Sequence, residues 1–326
     1  MQSCVIIGAG IAGLTAARQL VQQGWTVTVL DKGRGLGGRL ATRRLANGRA
    51  DHGAQVIRAT TAAFDNWLTS ADGQASLMAW PVDPVGTGWV GRDGMNRVAK
   101  QLATGLTIET GQTVVAVQAD GTGWRIETEN GQSFRGDTLL CTIPAPQALT
   151  LFVDKSNLLA PADQRALQTI QYDPCLAVLV ALDQASQIPA PGGLWLDRPD
   201  IAWVADNQQK GISPDVPTVT ILASTAFSRA NLDGDLTAAG QQLLAQLADW
   251  LPAEMVTSVQ VHRWRYSQVV QAHPDPYWRA TTPLPLLFGG DGFGGTAPYD
   301  PHLNVERAFL SGRSMADWLV AQSAYP

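Results

Sequence analysis

The sequence predicts an α/β plus α+β chain: a parallel-sheet domain assembled from separated segments, with a mostly antiparallel β domain inserted between them. Three observations lead there. A short apolar strand at the N-terminus runs directly into a glycine cluster and a helix. A second apolar strand, glycine turn and helix close the chain. The stretch between is rich in strand-like runs separated by Pro- and Gly-rich loops.

Each element follows from its pattern. Residues 3–7 read as a buried strand, 14–23 as a helix with Gly24 just beyond it, and 25–30 as a second strand that ends on Asp31. Such a strand-helix-strand unit makes a parallel pair through a right-handed crossover. Residues 94–103 place Met95, Val98, Ala99 and Leu102 on one helical face. β segments follow at 106–117 and 123–135, and Asn130-Gly131 is a hairpin turn signal. The apolar run 138–143, stopped by Pro144 and Pro146, reads as the next parallel strand. Strands at 175–182, 193–205, 218–224 and 256–267 and a helix at 236–250 make up the insert. Residues 284–290 return as a strand, and 303–321 as an amphipathic helix with Val305, Ala308, Phe309, Met315 and Leu319 inward. The division expected is 1–70, 92–148 and 284–326 for the first domain, and 71–91 with 149–283 for a substrate-covering lid.

Composition narrows the partners. The 326 residues carry a net charge of −5, and only Lys32, Lys100, Lys155 and Lys210 among the 23 basic residues are lysine. No basic run would track a phosphate backbone, so nucleic acid is not an expected partner. The N-terminal apolar stretch is too short for a signal peptide and no window approaches a membrane span, which makes the cytoplasm the expected location. Cys4, Cys141 and Cys175 are odd in number, far apart and in apolar surroundings, as expected of buried reduced thiols; no metal site is expected.

The chemistry begins at Gly8-Ala9-Gly10-Ile11-Ala12-Gly13, which follows a strand and opens a helix, as a Rossmann-type dinucleotide site requires. Gly8 permits the turn, Gly10 the approach of a pyrophosphate and Gly13 close helix-strand packing, while the helix N-terminus offers N–H groups to phosphate. Asp31, about twenty residues on, is placed to accept from ribose hydroxyls, beside Lys32. This fingerprint alone does not separate NAD from FAD.

The next stretch separates them. Gly37-Gly38-Arg39 resembles the second motif of the flavoprotein amine oxidase superfamily, where paired glycines pass a pyrophosphate and the arginine supplies a planar cation. Asp51-His52-Gly53-Ala54-Gln55 resembles the segment that passes the flavin ring in that superfamily, with Gln55 able to bond the ring edge or a substrate; His52 is read as a packed histidine. Gly290-Asp291 resembles the turn beside the ribityl chain and phosphate. The helix from Leu303 and Asn304 would aim its positive end at the pyrimidine side of the ring. Val114 would touch the adenine through its backbone. No cysteine or histidine occupies the turn at 289–295, so the implied FAD is non-covalent.

With those motifs in place the chain is similar to the renalase family, in an amine oxidase or p-hydroxybenzoate hydroxylase-like topology. The likeness is nearly full length and includes Asp206-Asn207; it narrows at Pro144-Ala145-Pro146-Gln147 and Trp264-Arg265-Tyr266-Ser267-Gln268-Val269, and is otherwise weakest over 149–255. It implies oxidation of 2- or 6-dihydro isomers of NAD(P)H, with hydride passing to flavin N5 and O2 taking the electrons to give H2O2. Many amine oxidases of the superfamily use a lysine near flavin N5, and none of the four lysines here sits in a strand placed like it; Lys210 falls in a Pro/Gly-rich loop. Hydride transfer from a dihydropyridine needs no general base. No catalytic side chain is assigned. Asn207, Trp264, Tyr266 and Gln55 are the substrate-facing candidates, and alternation puts Trp264 on the opposite strand face from Arg263 and Arg265. The alternatives are an amine or polyamine oxidase, a terpenoid desaturase or isomerase, and a non-catalytic binding protein on the same scaffold.

Overall fold

The computed structural model describes residues 2–83, 86–154, 156, 158–295 and 303–323. Its first sheet has six strands in the order Trp278–Arg279, Leu286–Phe288, Thr138–Cys141, Ser3–Ile7, Thr26–Asp31 and Thr107–Thr110. All neighbours are parallel except the edge pair formed by Trp278–Arg279 and Leu286–Phe288. Ser3–Ile7, Thr138–Cys141 and Leu286–Phe288 are buried almost throughout, as expected of parallel strands covered on both faces. Trp278–Arg279 lies in the stretch expected to belong to the lid, yet it extends this sheet.

Helix Ile11–Gln22 starts three residues earlier than its apolar pattern suggests, directly after the glycine turn, and buries Leu14, Ala17 and Leu20. The C-terminal helix Asn304–Ser323 packs against it, and a Cβ on Gly312 would overlap the carbonyl of Ala12. A three-stranded antiparallel sheet (Val114–Asp120, Gly123–Thr128 and Ser133–Gly136) carries the expected hairpin at Gly131.

The second large sheet has five antiparallel strands in the order Gly193–Trp195, Ile201–Asp206, Thr218–Ala223, Gln171–Leu182 and Val256–Gln271. One face packs on helices Thr225–Asn231 and Leu236–Ala245, burying Val178, Val180, Ile221 and Leu243. The other faces the glycine-rich first half. Its last strand has 16 residues and follows its 12-residue neighbour with register shifts near Cys175. The hairpin Leu77–Asp83 and Gly86–Gly91 lies at the seam, where Trp80 donates to the Pro191 carbonyl at 2.9 Å. All three cysteines are free and buried, and burial pushes the Cys141 and Cys175 thiols up to about 12.

Candidate functional site

The glycine turn is built as the fingerprint requires. Gly8 has φ +110°, outside the range an L-residue adopts easily, and its N–H donates to Leu30 at 2.8 Å. A Cβ on Gly13 would collide with the Gly8 carbonyl, so this glycine serves helix-turn packing. Gly10 is different: a Cβ there would meet nothing within 4 Å. Protein packing therefore does not demand glycine at 10, whereas a ligand lying on the backbone would. Gly10 also caps the helix without any side-chain hydrogen bond, leaving the first N–H groups of Ile11, Ala12 and Gly13 to a ligand.

Around this turn the other motif residues gather. Gly37, buried, donates to the Ala9 carbonyl at 2.9 Å, and Gly38 lies over the Gly10 Cα with its own Cβ position otherwise open. Asp31 accepts from Ala9 N–H and Gly33 N–H, both at 2.7 Å, so one oxygen lone pair on each side braces the loop and the others remain for hydroxyls. Lys32 is exposed beside it, and Val114 is half-buried at the start of its strand. Gly290 has φ +133°, faces Thr142, and donates to Ser311 Oγ of the C-terminal helix at 2.9 Å. An open bed of backbone edged by glycines, a free helix N-terminus and an acid at the second strand's end fit an FAD dinucleotide.

Two sites differ from the simplest reading of their motifs. Arg39 makes a bidentate pair with Asp291 (2.6 and 2.6 Å) and donates to the carbonyls of Tyr266 and Ser267 at 3.3 Å. Both residues were expected to face the cofactor separately, yet they bind each other and draw in the long lid strand. Gly53 lacks a side chain because Arg39's carbonyl fills that space and accepts from Ala54 N–H at 2.9 Å. The C-terminal helix has a resident anion in its first turn: Glu306 accepts from the backbone and hydroxyls of Thr60 and Thr61 at 2.6–3.1 Å. Leu303 and Asn304, just before and at the helix start, are half-buried.

The ring-facing segment 52–55 is enclosed by the lid strand. Trp264 Nε1 donates to the His52 carbonyl at 2.6 Å, and the two rings stack with centroids 5.3 Å apart. His262 completes the cluster, 4.6 Å from His52. Burial, then the neighbouring His262 and Arg43, push His52 down to about 3, so it is a neutral packed ring. Arg263 and Arg265 share Asp233 on the other strand face, which is the alternation that the sequence implies. Tyr266 meets Tyr172 edge-on at 5.9 Å, and Arg39 lies 5.7 Å from the Tyr172 ring, a neighbour the motifs do not signal. Among the other lid tryptophans, Trp80 and Trp203 are core, Trp89 is half-buried and Trp195 is 52% exposed.

Gln55 is buried and turned back on its own loop, donating to the carbonyls of Asp51 (2.9 Å) and Gly53 (3.0 Å), while its Oε1 has no partner among the described residues. Asn207, fully buried, donates to Thr220 Oγ1 at 3.1 Å, and its Oδ1 likewise has no partner among the described residues. Lys32 and Lys100 are exposed, and Lys155 lies outside the described residues. Lys210, in the Pro/Gly-rich loop, is wholly buried with Nζ 2.7 Å from Asp51 Oδ2. Its local sequence does not signal this burial, because the partner lies 159 positions away. The described residues contain no cluster of three or more potential metal ligands.

Comparisons with known proteins agree with this geometry. Residues 58–319 match the family described as flavin containing amine oxidoreductase, and residues 6–69 match a NAD(P)-binding Rossmann-like domain. Renalase of Mus musculus is 26% identical, over 90% of this chain and 93% of its own. The neurosporene-forming phytoene desaturase of Cereibacter sphaeroides is 36% identical, but over 24% of this chain and 16% of its own. A putative protoporphyrinogen oxidase from Exiguobacterium sp. 255-15 has the same fold, with a TM-score of 0.71 at 14% identity, covering 98% of this chain and 99% of that one. An oxidoreductase from Methanosarcina mazei follows at 0.65 and 16%, covering 97% and 100%. The glycine bed and the family match over most of the chain lead to one assignment: the chain belongs to the flavin containing amine oxidoreductase family, as a flavin-dependent oxidoreductase similar to renalase.

Proposed function

We propose that the protein binds FAD non-covalently and oxidises 2- or 6-dihydro isomers of NAD(P)H to NAD(P)+, with O2 as electron acceptor and H2O2 as co-product. FAD when bound supplies the two-electron chemistry, taking hydride from the substrate and passing the electrons to O2. Gly8, Gly10, Gly13, Gly37, Gly38 and the N-terminus of helix Ile11–Gln22 would hold its phosphates, and Asp31 its ribose. Residues 53–55 would line its ring, and Gly290 with Asp291 its ribityl side. Trp264 and Tyr266, half-buried on the lid strand, are the proposed substrate wall, whereas Gln55 and Asn207 are buried and hydrogen-bonded to the protein itself.

One observation carries this reading over amine oxidation. The carboxylates nearest the ring-facing segment and the C-terminal turn, Asp51 and Asp291, are already paired with Lys210 and Arg39. A substrate ammonium would have to compete with a resident cation at either. His52 is held neutral, Lys210 is committed to Asp51, and an activated dihydropyridine asks for neither a base nor a counter-ion at the reacting carbon. The similarity to renalase across 90% of the chain supports the same substrate class. No helix among the described residues is long and apolar enough to cross a membrane, and we place the enzyme in the cytoplasm, where its pyridine nucleotide substrates occur.

Anaerobic mixing of the yellow holoenzyme with 2- or 6-dihydro-NAD(P) tests the proposal. Rapid bleaching of the flavin band by either isomer, and H2O2 release on admitting air, is the expected result. Bleaching by amines with none by either isomer would overturn it.

A further inference from the structure

The Lys210–Asp51 pair ties the turn after strand Ile201–Asp206 to the end of the two-stranded hairpin Thr42–Leu45 and Gly48–Asp51, and the oxidation chemistry makes no use of it. Neither side chain has any exposed surface. Every oxygen of Asp51 is engaged. Oδ2 accepts from Lys210 at 2.7 Å, and Oδ1 accepts from the Thr42 hydroxyl (2.5 Å) and Met95 N–H (2.8 Å). The main-chain carbonyl accepts from Gln55 Nε2 at 2.9 Å and from Thr220 Oγ1 at 2.8 Å. Thr220 in turn accepts from Asn207. Lys210 is itself held at the end of a tight turn: its N–H donates to the Asp206 carbonyl at 2.9 Å, and Asp206 Oδ1 accepts from Gln208 and Gln209 N–H. Its ammonium also lies 5.3 Å from the centre of the Trp80 ring.

A sealed ion pair contributes little net stability, since an apolar pair of the same volume is often as stable or more so. What such a pair does supply is direction: one donor, at one point, aligning one carboxylate. Here that carboxylate immediately precedes the segment 52–55, and the same residue's carbonyl fixes the Gln55 amide. We propose that Lys210 is a positioning residue that, through Asp51, sets the 52–55 turn against the FAD ring and thereby couples cofactor geometry to the seating of the lid turn 206–211. The proposal rests on the flavin reading above.

Three variants test it: Lys210→Met, Lys210→Arg, and the double variant Asp51→Asn with Lys210→Met. Apoprotein is titrated with FAD, and the visible absorption and circular dichroism bands of the bound flavin are recorded beside thermal midpoints. Lys210→Met should weaken FAD uptake by about tenfold, the scale of losing an outer-shell partner of a bound group, and shift the bound-flavin bands. The double variant removes the stranded charge, so its thermal midpoint should recover while the weakened uptake and shifted bands persist. Lys210→Arg should restore uptake and bands together. Wild-type uptake and bands in the double variant would overturn the proposal and leave the pair a purely structural role; that variant decides the matter if Lys210→Met does not fold. Failure of the wild-type apoprotein to take up FAD would instead overturn the flavin reading, and this proposal with it.

Discussion

Two ion pairs lie where the lid meets the nucleotide-binding half, but their surroundings differ. Lys210–Asp51 spans the two, while Arg39–Asp291 lies within the nucleotide-binding half and reaches the lid through Arg39. Arg39 keeps 28% of its side-chain surface exposed and presents a planar fork to two lid carbonyls as well as to Asp291. Lys210 and Asp51 have none exposed and use a single contact between charges. A pair at an open seam can exchange partners, because water and an incoming anion compensate the charge that is released. A sealed pair cannot, because either ion left alone remains in a medium that does not solvate it. The first is suited to rearrange when phosphate arrives, and the second to stay fixed while it does.

Breaking the sealed pair should have the largest effect. Asp51→Ala strands the Lys210 cation and removes the acceptor of Thr42 and Met95, and should lower unfolding free energy by about 3–5 kcal/mol in a urea titration. An effect below about 1 kcal/mol would show that the pair is hydrated and the contrast misplaced. Asp291→Ala, at the seam, should lose less, about 1.5–3 kcal/mol by the same titration, since Arg39 retains water and its two carbonyl partners. Arg39→Lys keeps the charge but not the fork. Its apoprotein should melt close to wild type while FAD affinity falls by about tenfold, measured by calorimetry. Equal loss in both quantities would mean that Arg39 is only a structural brace.

The smallest effect concerns protons. His52 and His262 have folded values of about 3 and about 4, lowered chiefly by burial, against 6.5 for the free ring. Below pH 6.5 the unfolded chain therefore binds protons that the folded chain refuses, so stability is complete above that pH and is lost as pH falls toward 4. Over the first pH unit the loss should be roughly 1 kcal/mol per histidine. Urea midpoints measured across this range should slope downward in the wild type and less steeply in His52→Phe, which keeps the stack on Trp264. A flat wild-type profile would mean that the imidazoles are solvated.

The parts legible in the sequence are those in which the chemical need is local. Residues 3–31 announce a strand, a turn and a helix through apolar periodicity and through glycines that the turn requires, and the structure reproduces them within a few residues. The Arg263-Trp264-Arg265 alternation separates two strand faces for the same reason. Long-range pairing is what stayed hidden. Arg39 and Asp291 are each conspicuous in their own motif, but nothing near either one specifies the other. Lys210 had no local mark at all, because its burial comes from a carboxylate on a distant strand and from the Trp80 ring. Helices Ala62–Leu68, Thr225–Asn231 and Pro161–Gln168 were also missed: each spans about two turns, too short for a helical period to stand out.

The closing helix has a consequence for how the molecule is made. The glycine loop leaves the ribosome well before the segments that pack around it. Thr138–Cys141 waits for Leu286–Phe288, Ala12 for Gly312, and Thr60 and Thr61 for Glu306. During synthesis the nascent chain therefore carries an unfinished apolar sheet edge for most of its length, the kind of surface on which chaperones act. Cofactor capture, on this topology, has to wait for the segment 286–312.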